Sequence, residues 1–193
     1  MNKIVKMVLV LSITGAVSGG ILAQVFHFAD PLIQENRKKE LREAIFVVLS
    51  EAKDYTTLEK GNDKEKIVVY KGIDADGKLV GIAFIADGGG FQGNIRIMVG
   101  LSTDYLKLKG IKVLEQNETP GLGNRIKEPA FEDQFRGLEI KPKVEYIKYR
   151  KPEKPNQIQA ITGATISSEA VVKNINNAVE RVLKNFPQEE ILK

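Results

Sequence analysis

An α+β fold, hung from a single N-terminal transmembrane helix and built on a mostly antiparallel sheet, is what this sequence predicts. Three observations carry that expectation. A long apolar, uncharged stretch lies near the N-terminus. Short strand-like runs separated by Gly- and Asp-rich turns fill the middle. Segments before and after those runs repeat apolar residues at helical spacing.

Met7 to Phe28 carries no formal charge, taking His27 as neutral. Its roughly 22 residues are enough to span a hydrocarbon core of about 30 Å as a helix. Cleaved signal peptides have shorter apolar cores and end at a small-x-small site, so an uncleaved anchor over residues 1–29 is expected. Gly15 and Gly19, with Gly20, Ser12 and Ser18, offer a small-residue face to another membrane helix. Lys3 and Lys6 precede the span, while Arg37, Lys38, Lys39 and Arg42 follow it. That balance leans towards a cytoplasmic domain, but long domains translocate against such a bias, so charge leaves sidedness open.

Pro31 can open a helix at its first turn. Leu41, Ala44, Ile45, Val48, Leu49 and Ala52 then recur at helical spacing. They predict an amphipathic helix over about Leu32 to Lys53, the body of an amphipathic connecting helix 30–60 that precedes the folded domain 61–193.

Lys66 to Tyr70 and Leu79 to Ala86 read as strands joined by the turn Asp74-Ala75-Asp76-Gly77. The two aspartates lack the rest of a calcium loop, so turn chemistry accounts for them. Gly88 to Gly93 is too glycine-dense for a strand interior. It is a flexible turn, or a place where backbone approaches a flat ligand. Strands follow at Asn94 to Leu101 and Ile111 to Leu114. Pro129 to Arg136 reads as a short helix with Phe131 and Phe135 on one face. Ile140 to Pro155 reads as an irregular surface segment with one strand near Val144 to Tyr149. Gln157 to Ile161 is strand-like. A final helix, Ser168 to Phe186, buries Val171, Ile175, Ala178, Val179, Val182, Leu183 and Phe186, and Pro187 stands where it should end.

Composition narrows function. Hydrophobic residues make up 42% of the chain, enough for a real core, and the net charge is +4. Acids and bases are interleaved, with no basic patch containing aromatics, which argues against nucleic acid. Cysteine is absent and His27 is the only histidine, so disulfides, iron–sulfur ligation and a histidine zinc site are excluded. No catalytic triad and no paired carboxylates are visible. Redox chemistry on this chain would need an organic cofactor.

Two motifs stand out. Thr162-Gly163-Ala164-Thr165-Ile166-Ser167 lies at a strand-to-helix turn. Small residues there admit close approach to the backbone, and the following helix offers free N–H groups that suit a phosphate. Thr and Ser are also common helix caps, so an ordinary N-cap is the alternative. Glu118-Thr119-Pro120-Gly121-Leu122-Gly123 sets an apolar Leu between glycines in a Pro-Gly turn. It suits covering a planar ring, or a buried turn.

Both motifs resemble those of the FMN-binding domain family. The first matches its Ser/Thr/Asp-Gly-Ala-Thr-x-Ser/Thr flavinylation pattern, with Thr162 where Ser is frequent. The second matches at every position, although Gln116 stands where the family usually has His. The Gly-aromatic-x-Gly stretch before a strand is similar too. The resemblance implies covalent FMN on Thr165 through a phosphoester, installed by a flavin transferase from FAD. It implies further FMN-binding roles for Thr162, Gly163, Ala164 and Ser167. It places Glu118, Thr119, Gly121, Leu122 and Gly123 beside the isoalloxazine ring.

Over its whole length the chain resembles the G subunits of Rnf complexes, which couple electron flow between ferredoxin and NAD to sodium or proton transport. That implies a single-electron relay without stand-alone catalysis. It would be anchored in the cell membrane's lipid bilayer beside other iron–sulfur and flavin subunits, its FMN domain on the extracytoplasmic side. The related FMN-carrying C subunits of sodium-pumping NADH:quinone oxidoreductases are typically longer. Another extracytoplasmic electron chain, or a non-redox membrane-anchored binding module, are the other readings.

Overall fold

The computed structural model describes residues 2–61 and 66–192. The expected domain 61–193 therefore has residues 62–65 and 193 outside the described ones, as has the anchor's Met1. The chain divides into two units after Glu40.

In the first unit, helix α1 (Lys3–Val48) begins and runs on without interruption through Pro31. It is the one helix among the described residues long and apolar enough to cross a membrane, and none of its most apolar window is buried within the chain. Two helices meeting near Pro31 were expected, and one is found. Proline removes a single backbone donor, and the residues on either side keep the rest of the ladder. Lys39 and Glu35 form an exposed i,i+4 pair at 2.9 Å, worth only a few tenths of a kcal/mol.

The second unit starts with the end of α1, where Ala44, Ile45 and Val48 become buried. Here the sequence reading of a helix to Lys53 is corrected. The helix stops at Val48, and Asp54–Lys60 is strand β1 rather than part of a connecting helix. Leu49 and Ala52 are buried as expected, but in the turn between α1 and β1. The strand was hidden because it is an edge: mostly exposed residues leave little periodic signal.

Strands β1, β2 (Ile67–Ile73), β3 (Leu79–Gly89), β4 (Asn94–Leu101) and β5 (Leu108–Gln116) form one antiparallel sheet in sequence order. β3 runs to Gly89, further than the glycine-rich sequence suggested. Pairing with Ile95 and Asn94 holds Gly88 and Gly89 in the ladder, and Asn174 fills the space a Gly88 side chain would need.

A 3-10 turn (Gly123–Lys127) leads to α2 (Pro129–Glu132) and a second 3-10 turn to Phe135. Phe131 and Phe135 are buried edge-to-face at 5.4 Å. Buried Glu132 accepts hydrogen bonds from the Val113 amide and the Lys112 ammonium, both at 2.9 Å, tying α2 to β5. Short strands β6 (Glu145–Ile147) and β7 (Gln157–Gln159) pair in parallel, and β7 feeds α3 (Thr165–Asn185). Pro187 ends that run before the one-turn α4 (Gln188–Ile191).

The alternation of each strand sorts its side chains to two faces. Ile82, Phe84, Ile97 and Val99 join Val171, Ile175, Ala178 and Val182 of α3 in the main core. Ala83 and Met98 join Ala44, Ile45, Val48 and Leu49 in a smaller one. The sheet thus lies between α3 and the end of α1. The α1 backbone comes very close: a Cβ on Gly100 would sit 2.6 Å from the Val48 carbonyl oxygen.

Two outcomes follow from this packing. Gly100→Ala should lower unfolding stability by about 1–3 kcal/mol. Gly89→Ala, whose added carbon would meet nothing within 4 Å, should stay within about 0.5 kcal/mol; denaturant unfolding in detergent reads both. Tyr105 donates to the Phe186 carbonyl at 3.2 Å. Burial, then the charge of Glu190, pushes its phenol up to about 12 from 10.0. The unfolded chain therefore loses this proton first. The associated stability is intact below pH 10.0 and is lost as pH climbs towards about 12. Tyr105→Phe should flatten that loss in urea titrations across the same window.

Candidate functional site

The site is built where three connections meet: the β3–β4 turn, the loop after β5, and the β7–α3 turn. None of these is sequence-adjacent to another. Their common fastener is Glu118, buried to 4% exposure. Its Oε1 accepts the amides of Phe91 at 2.9 Å and Gln92 at 3.0 Å. Its Oε2 accepts the Ser167 hydroxyl. The Glu118 amide in turn donates to the Gln116 side-chain oxygen, so the residue standing in the family's His position serves here as a loop tie.

The loop after β5 is shaped by its own backbone. Leu122 and Asn124 amides both donate to the Thr119 carbonyl at 3.2 Å, and the Gly121 amide donates to Asn124 Oδ1 at 2.8 Å. Gly121 at φ 75 and Gly163 at φ 84 occupy the left-handed region that glycine enters freely. Gly123 lies so close to the fastener that a Cβ would fall 2.6 Å from Ser167 Oγ and 2.8 Å from Glu118 Cβ.

At the β7–α3 turn Thr165 is not the ordinary N-cap of the alternative reading. Ala164 is the N-cap, and no side chain caps the helix. The turn is held by Ser168, whose Oγ accepts the Ile161 amide and donates to the Ala164 carbonyl, both at 3.0 Å. The half-buried Thr165 hydroxyl therefore makes no hydrogen bond among the described residues. The amides of the first helical turn have no carbonyl ahead of them in the helix and carry its partial positive charge.

These three connections enclose a cavity of about 300 Å³. Thr119, Leu122 and Gly123 line it from one side, and Gly163, Ala164, Thr165, Ile166 and Ser167 from another; Phe91 and Tyr149 complete it. Seven residues singled out in the sequence thus converge on one space. Glu118, Gly121 and Thr162 are not part of its lining: Glu118 is behind the wall, while Gly121 and Thr162 are exposed. Phe91, Ile166 and Tyr149 were not singled out. Phe91 and Ile166 sit inside flagged stretches, but Tyr149 lies in a segment that reads as solvated surface.

The lining is hydroxyls, glycine backbone and exposed apolar side chains, with no charged group. That donor set, at an uncapped helix start, fits a phosphate-bearing planar ligand. No groups of His, Cys, Asp and Glu among the described residues could hold a metal ion.

Comparison with known proteins agrees. Residues 90–180 match the FMN-binding domain model, which takes in all three connections. The G subunit of an ion-translocating oxidoreductase complex from Methanosarcina acetivorans is 32% identical over 94% of this chain and 95% of its own length. The G subunit of the Na(+)-translocating ferredoxin:NAD(+) oxidoreductase complex from Acetobacterium woodii is 30% identical, covering 91% and 89%. The crystal structure of the C subunit of Na(+)-translocating NADH-quinone reductase from Parabacteroides distasonis superposes with a TM-score of 0.63 at 18% identity, covering 83% of this chain and 96% of that one. At that identity the likeness is one of fold. With its FMN-binding domain and near full-length similarity to these relatives, the chain belongs to the family of G subunits of ion-translocating oxidoreductase complexes.

Proposed function

We propose that this chain is a membrane-anchored flavoprotein subunit that relays single electrons within an ion-translocating ferredoxin:NAD oxidoreductase of the Rnf type. The observation that carries the site assignment is the free Thr165 hydroxyl. It stands at an uncapped helix start, in one cavity with Leu122 and Gly123. FMN joined to Thr165 through its phosphate supplies one-electron exchange when bound.

The residues divide the work of holding it. Gly163 and Ala164 keep the approach to Thr165 low, and Ser167, whose hydroxyl donates to Glu118, ties that turn to the loop after β5, while Thr162 stands outside the cavity lining. The α3 N-terminus favours the phosphodiester charge by about 0.3–1 kcal/mol, which alone would not retain a cofactor. A covalent bond to Thr165, installed by a flavin transferase, supplies the retention. Thr119, Leu122 and Gly123 shield the ring, and Gly121 sets the curvature of their loop. Glu118 keeps all three connections in register. Residues 1–29 anchor the chain in the lipid bilayer among partner subunits, and the folded unit that starts at Leu41 and includes β1 holds the flavin on the extracytoplasmic side. Near full-length similarity to two G subunits favours this complex over the quinone reductase.

Mass spectrometry of the full chain, co-produced with a flavin transferase, should show one FMN added through a phosphoester. Thr165→Ala should abolish that mass with thermal unfolding unchanged; retention of the flavin in this variant would reject Thr165. Glu118→Ala strands two amides and a hydroxyl and should cost about 1–3 kcal/mol. It should also reduce the flavin-bearing fraction, whereas Glu118→Gln keeps an acceptor and should fall between.

A further inference from the structure

Two residues of the cavity beside Thr165 come from neither motif, Phe91 of the β3–β4 turn and Tyr149. Tyr149 lines it from the irregular stretch between β6 and β7. Its backbone sits at φ 59, in the left-handed region, where a bulky residue is strained. Tyr105 is the other non-glycine residue at positive φ among the described ones, and its setting explains it: the side chain is buried in the core and hydrogen-bonded to Phe186. Nothing comparable holds Tyr149. The residue is 77% exposed, and its phenol has no partner among the described residues.

A strained backbone that presents an unpartnered aromatic ring at a ligand cavity points to the ligand as what the ring packs on. The rest of the lining leaves room for such a partner. Leu122, at 48% exposure, is the apolar cover offered by the loop after β5, and Phe91, the second aromatic, is 59% exposed. A flat tricyclic ring entering a space of about 300 Å³ would be enclosed only in part by these walls. Aromatic rings favour offset stacking or edge contact with one another, and a tyrosine can pack its body while leaving its hydroxyl wet. We propose that Tyr149 is a flavin-packing residue, its ring closing over the isoalloxazine once FMN is carried on Thr165. This rests on the Thr165 reading above and adds to it a positioning residue from outside both motifs.

Nitration with tetranitromethane, mapped by mass spectrometry on the full chain in detergent, tests it. Flavin-free protein, made without the transferase, is compared with flavin-bearing protein. Tyr149 should react readily in the flavin-free form and severalfold more slowly in the flavin-bearing one. Tyr55, packed against Tyr70 under the α1 face of the sheet, should react equally in both. Tyr149→Ala should keep the flavin mass but alter the visible absorption band, and Tyr149→Phe, which keeps the ring, should restore it. Equal nitration of Tyr149 in the two forms, with the flavin mass present, removes Tyr149 from the site and leaves Thr165 standing. Absence of the flavin mass from the wild-type chain overturns the Thr165 reading and this one with it.

Discussion

A buried carboxylate holds the site together. Glu118 would be costly in the interior as an isolated charge, because burial removes the water that stabilises it. Two backbone amides and one hydroxyl replace that water. Hydrogen bonds to an ionised acceptor are among the stronger ones, and they leave few lone pairs unmet. Each donor comes from a different part of the chain than Glu118 itself. The same interaction that makes the charge tolerable therefore fixes the glycine-rich turn and the start of α3 against the loop after β5. The cavity is the space left between these three once they are fastened.

The division of labour between neighbouring hydroxyls at the α3 turn is the second constraint. A helix start commonly recruits its first Ser or Thr as a cap. Here Ser168 pins the turn from inside the first helical turn, and Ser167 is spent on Glu118. Thr165 is left with its hydroxyl uncommitted at the cavity, the state a residue needs if it is to be esterified. A nucleophile already donating to the backbone would have to break that bond first. The uncapped amides then remain for an anion rather than a side chain.

Several elements could be read from the chain alone because their signals are local. The apolar run of α1, the alternation of β3 and β4, the helical repeat of α3 and the Pro120–Gly121 turn each depend on a few adjacent residues. β3, β4 and α3 match them to within a few positions, Gly121 sits at positive φ, and the apolar run lies within the longer α1. Local signals failed where long-range pairing decided the outcome. Asp54–Lys60 is a strand because β2 lies beside it, and its own exposed pattern says little. Gly88 and Gly89 stay in β3 because β4 continues to pair with them. Pro31 costs about 3 kcal/mol in a helix interior, yet it does not divide α1, which continues from Lys3 to Val48.

The same distinction holds at the site. Composition set aside thiolate and histidine metal chemistry, and two six-residue motifs carried the resemblance to FMN-binding domains: no cysteine, one histidine, and a threonine after Gly163-Ala164 at a strand-to-helix turn. Those are properties of residue type and spacing, which a linear chain displays openly. Only the tertiary structure decided that Glu118 sits behind the cavity wall as a fastener, that Ser168 frees Thr165, and that Tyr149 reaches the same space. Each of those facts is a meeting between residues distant in sequence or a choice among competing hydrogen-bond partners. Such choices are settled by which groups burial brings within reach, and the one-dimensional order of residues does not contain that.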